Sequence, residues 1–64
     1  MDKSLQNEIE SCINDMRTVS RMLKMAAEEL ENALSGFGTL DLCERMRRYA
    51  KAYERAANKL ENIL

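Results

Sequence analysis

Apolar residues recur in a regular rhythm through the first half of the chain. Leu5, Ile9, Cys12, Met16, Val19, Leu23, Ala26, Leu30 and Ala33 follow one another in alternating steps of four and three without a slip. That spacing is a heptad seam along one side of an α-helix. A further column, Ile13, Ala27 and Leu34 with Ser20 as its polar member, lies beside the seam and makes the stripe wider than a two-stranded coiled coil requires. The second half repeats the design with Leu42, Met46, Tyr49, Tyr53, Ala56, Leu60 and Ile63, flanked by Cys43, Ala50, Ala57 and Leu64. The pattern predicts an all-α chain forming one domain over residues 1–64, with helices over about 3–34 and about 41–63 and a turn over about 35–40.

The turn is marked by Gly36 and Gly38, the only glycines in a chain without proline. Either glycine can take the left-handed conformation that ends a helix, with Phe37 folding back on the last apolar turn. Asp2 or Ser4 is placed to cap the first helix. Asp41-Leu42-Cys43-Glu44 fits an acidic form of the capping box for the second, with Thr39 as the competing cap. So short a connection makes the helices antiparallel neighbours. A turn centred on residue 38 sets Leu30 beside Met46, Leu23 beside Tyr53 and Met16 beside Leu60. The charges follow: Glu28, Glu29 and Glu31 lie across from Arg45, Arg47 and Arg48, while Arg17, Arg21 and Lys24 face the zone of Glu54. The second helix runs out opposite about Cys12, which leaves Leu5 and Ile9 without cover from their own hairpin.

Composition narrows the chemistry. The 64 residues carry 10 basic and 11 acidic side chains, a net charge of -1, and no histidine or tryptophan. There is no nucleophile beside a base, no glycine-rich phosphate loop and no metal-ligand spacing, so neither an enzyme nor a metal, cofactor or small-molecule site is expected. Cys12 and Cys43 stand on the apolar faces at opposite ends of the hairpin. They read as small buried hydrophobes that cannot form an intrachain disulfide, with an intermolecular bridge in an oxidised sample as the alternative. No apolar run is long enough to cross a membrane and the first residues lack a signal-peptide core, so the expected location is the cytoplasm.

What is left over is surface. Two helices cannot bury two faces each three columns wide, so the hairpin is expected to complete a helical bundle with a second copy of itself or with another protein. The residues expected to meet that partner are Leu5, Ile9, Ile13, Met16, Leu23, Leu30, Met46, Tyr53, Leu60 and Leu64. The methionines at 16, 22, 25 and 46 suit an adaptable contact. A competing reading takes the basic cluster of the second helix, Arg45, Arg48, Lys51 and Arg55 with Tyr49 and Tyr53 near it, as a nucleic-acid face. Residues 39–64 hold six basic and four acidic side chains, so the excess is small.

Two resemblances bear on these readings. The stretch Leu23-Lys24-Met25-Ala26-Ala27-Glu28-Glu29-Leu30 followed by Gly36, with the chain length and single turn, resembles the small E-type co-chaperones of type III secretion needle subunits. The likeness spans about residues 16–62 and implies a helical hairpin that joins a larger chaperone to keep a needle protein from polymerising. Asp41-Leu42-Cys43-Glu44 with Met46, Ala50, Tyr53, Ala57 and Leu60 at seam spacing is similar to the second helix of the Rop-type RNA-binding hairpins. That implies a homodimeric four-helix bundle. The Rop type reads RNA from an aromatic-bearing outer face of its first helix, and the first helix here has no aromatic residue.

Overall fold

The computed structural model describes residues 2–36 and 40–64. Two helices account for nearly all of them: α1, Lys3–Ala33, and α2, Asp41–Ile63, packed against each other. The helix bounds agree with the sequence pattern to within a residue.

The helix ends differ from it in detail. Asp2 occupies the cap position of α1, but its side chain makes no capping bond, and Ser4 lies inside the helix. At the start of α2 the cap position belongs to Leu40, in extended conformation, so Asp41 is the first helical residue and the expected capping box does not form. Asp41 and Glu44 sit instead in the first turn, where their charge meets the positive end of the helix dipole. The Leu34 amide closes α1 by donating to the Leu30 carbonyl at 2.9 Å. Gly36 then turns the chain away with φ +101°, a conformation that disfavours a side chain. Phe37, Gly38 and Thr39, to which the turn packing and the competing cap were assigned, lie outside the described residues.

The column in contact differs from expectation. The interior of the hairpin is formed by Ile13, Ser20 and Ala27 of α1 against Cys43, Ala50 and Ala57 of α2, all buried. These are the columns that flank the heptad seam in the sequence. Ser20 donates to the Ala50 carbonyl at 2.7 Å, and the Cys43 thiol points at the Ala27 carbonyl at 3.5 Å. Side chains this short reach the opposite backbone only where two helices approach closely, and small residues permit that approach. Accordingly the register differs from one centred on residue 38: Met16 shares a shallow apolar hollow with Ala52, Tyr53 and Ala56, one to two turns nearer the loop than Leu60.

One edge of this seam is closed by charge. Arg17 pairs with Glu61 and also donates to Asn58 at 3.3 Å, Lys24 pairs with Glu54 at 3.4 Å, and Arg47 pairs with Glu31. The three α1 members stand seven residues apart, as do the three of α2, so the pairs form one row along the hairpin. Solvent-screened pairs of this kind add little to stability and serve register more than strength.

Candidate interaction surface

On the other edge the heptad columns are open. Leucines and methionines of both helices, with the tyrosines of α2, form a face with half-buried residues along its middle and exposed ones along its margins. The middle holds Ile9, Met16, Leu23 and Leu30 of α1 with Met46 and Leu60 of α2. Tyr53 belongs to the same column and is 42% exposed. The margins hold Leu5, Cys12 and Val19 on one side and Leu42, Tyr49 and Ile63 on the other, with Tyr49 57% exposed.

The face takes this form because both helices carry three apolar columns and the hairpin uses one from each. Apart from Ile13 the buried positions it uses are small, and most of the bulky side chains stay outside. Cα positions span 52 × 15 × 11 Å, which is a single layer of helices. The radius of gyration is 15.1 Å, against about 11 Å for a compact chain of this length. A single layer has no second side against which to bury its open face.

Most of the residues expected to meet a partner do lie on this face: Leu5, Ile9, Met16, Leu23, Leu30, Met46, Tyr53 and Leu60. Leu64 is exposed at the end of α2, in a hollow with Glu10, Ile13, Asn14, Arg17 and Glu61, beside the ion-paired edge and away from the apolar centre. Ile13 is not available. It is 4% exposed and packs inside the hairpin, because its column is the one that meets α2. Leu42, Tyr49 and Ile63, seam positions not among those expected to meet a partner, are among the more open apolar positions, and Val19 beside them is exposed as well. Their periodicity was visible, but nothing in it said which column the hairpin would consume.

The cysteines part company. Cys43 is fully buried in the seam and Cys12 is exposed on the open face, contrary to the expectation that both are buried. Both are free thiols. Among the described residues there is no group of three or more histidine, cysteine or acidic side chains placed to hold a metal ion, and no helix long and apolar enough to cross a membrane.

Arg45, Arg48, Lys51 and Arg55 are all exposed on α2, but Lys51 lies in a hollow with Lys24, Glu28, Glu31, Asn32 and Arg47 at the ion-paired edge, so the four do not form one face. Tyr53 and Tyr49 belong to the apolar face, so the helix separates them from Arg48 and Arg55. Arg47 is committed elsewhere. Its hydrogen bond holds the Glu31 carboxyl below the usual glutamate range, and the same bond raises the Arg47 guanidinium.

No family model, curated protein or solved structure matches this chain.

Proposed function

We propose that the chain is a non-catalytic protein-interaction module that works by packing its open apolar face on partner helices. Its role is that of a small cytoplasmic adaptor, co-chaperone or inhibitor. The observation that carries this reading is the exposure of Leu42, Tyr49, Ile63 and Leu5, between 48% and 59%, along one continuous face of a single-layer hairpin. Exposed apolar surface in so regular a pattern is the mark of an interface. The start of α1 supports it as well, since Leu5 there is exposed whereas Ile9, one turn on, is half-buried.

The test is solution mass by light scattering, with helicity read by circular dichroism over a dilution series, for the parent chain and for a Val19→Ser/Tyr49→Ser variant. The reading expects the parent to associate, or to be weakly helical alone, and the variant to lose association. A fully helical monomer whose properties the double substitution leaves unchanged refutes it.

A second reading has one observation in its favour. Arg48 and Arg55 stand on the outer side of α2, with Lys51 turned toward Glu28 and Glu31 at the charged edge, and like Arg45 they make no ion pair within 4 Å among the described residues. A bundle of Rop type binding RNA through Arg45, Arg48, Lys51 and Arg55 would show steeply salt-dependent RNA retention. The absence of retained RNA at low salt removes this reading.

A further inference from the structure

We infer that the helices covering the open face are those of a second copy of this chain, joined about a two-fold axis parallel to the helices so that both turns lie at the same end. The inference rests on the interaction-module reading and names its partner.

The area is right for such a partner. The hairpin exposes 5005 Å², whereas a compact monomer of its 7.4 kDa exposes about 4,200 Å². A compact protein of twice the mass exposes about 7,000 Å², so joining two hairpins removes about 3,000 Å² from water. Permanent dimers bury areas in this range.

Charge selects the arrangement. The open face has a border on each helix, and the two borders differ. On α1 it is Glu8, Asp15, Met22 and Glu29; on α2 it is Arg45, Ala52 and Lys59, every one of them exposed. Two two-fold arrangements bring the apolar faces together with neighbouring helices antiparallel. In one, the turns lie at opposite ends, and each border meets its own copy: acid against acid along α1 and base against base along α2. In the other, the turns lie at the same end and α1 of one copy lies beside α2 of the other, so acid meets base.

The levels agree in the second arrangement. An axis parallel to the helices leaves heights unchanged, so the hairpin's own pairs set them. Met22 and Ala52 stand midway between the Lys24–Glu54 and Ser20–Ala50 pairs, and therefore come level. One heptad to either side, Glu29 then comes level with Arg45 and Asp15 with Lys59. The resulting row of acid–base, apolar–apolar and acid–base pairs parallels the row that closes the hairpin's own seam. Inside it, the margin columns of the two copies face each other, which covers Cys12, Val19, Tyr49 and Ile63. Both overhanging first turns project at the end opposite the turns, where Leu5 remains for the further contact an adaptor makes.

The test combines mass measurement with disulfide trapping in a Cys12→Ser/Cys43→Ala background. The Met22→Cys/Ala52→Cys variant is expected to oxidise to a covalent dimer, whereas Met22→Cys alone is not. Within one hairpin these positions lie on opposite outer margins, so the bond can form only between copies. Reversing one charge with Glu29→Arg is expected to weaken dimerisation about tenfold, and adding Arg45→Glu to restore it to within about threefold. Both positions are exposed, so folding is retained and the effect is read on association alone. Efficient trapping of Met22→Cys by itself, with no rescue by the second reversal, means opposite-end pairing. That overturns the inference while the interaction-module reading stands. A monomer at all concentrations also overturns it; the reading survives if that monomer is weakly helical and fails if it is fully helical and indifferent to Val19→Ser/Tyr49→Ser.

Discussion

Ser20 donates its hydroxyl hydrogen to the carbonyl oxygen of Ala50 at 2.7 Å, across the middle of the seam between the two helices. The one polar residue of its column is thereby satisfied although it is only 3% exposed. The bond also measures the fold. A serine hydroxyl extends a short way from its backbone, so Ala50 can be reached only because α1 and α2 lie close together with alanines between them.

Loss of this bond and loss of the close approach should separate experimentally. Ser20→Ala removes the hydroxyl but keeps the spacing, and is expected to cost about 1 kcal/mol, the usual net worth of a hydrogen bond. Ser20→Leu or Ala50→Leu forces the helices apart and is expected to cost about 1–3 kcal/mol or more. Urea unfolding followed by circular dichroism distinguishes the two, with Ser20→Leu the more damaging at the same position.

The turn offers a backbone test free of packing. Gly36 has φ +101°, and a side chain placed there would meet nothing within 4 Å. Gly36→Ala is therefore expected to destabilise by about 1–2 kcal/mol through backbone strain alone. A neutral or stabilising effect in thermal unfolding would show that the turn adopts another conformation.

Acid should loosen the register near the turn. The Glu31 carboxyl is held below its ordinary value by the Arg47 hydrogen bond, so it binds a proton less readily folded than unfolded. The pair thus contributes stability above the unfolded value, about 4.3, and that contribution is lost as pH falls through the lowered folded one. Glu31→Gln should flatten this part of the acid limb in a stability-versus-pH series, leaving stability near pH 7 little changed because the pair is partly exposed.

The two thiols should report on different events. Cys43 is fully buried and is expected to react with a thiol reagent only on unfolding, at any protein concentration. Cys12 lies on the open face. Its reaction is expected to be fast in dilute protein and to slow as concentration rises, if a second copy covers it. A Cys12 rate that does not vary with concentration counts against coverage by a second copy.

Much of this was legible in the residues. Steps of three and four without a break, two glycines and no proline lead to two helices and one turn, because helical periodicity and chain reversal are local properties. The Lys24–Glu54 and Glu31–Arg47 zones were legible too, since opposite charges at heptad spacing on antiparallel helices have few other places to go. The capping of α2 was not, because one residue of shift moved Asp41 from the cap to the first helical position. Nor was the fate of Ile13 and Cys12.

The sequence by itself determined that there are two amphipathic helices, that they are antiparallel, and that they carry more apolar surface than a hairpin can bury. Periodicity, turn residues and charge order suffice for that. Only the tertiary structure decided which column each helix spends on the other. Three neighbouring columns are equally apolar to a periodicity argument. Alanine, serine and cysteine at seven-residue spacing, with Ile13 at one end, hold the interior because the small side chains let the backbones come close enough for Ser20 to bond Ala50. The bulkier leucines, methionines and tyrosines are left on the open face.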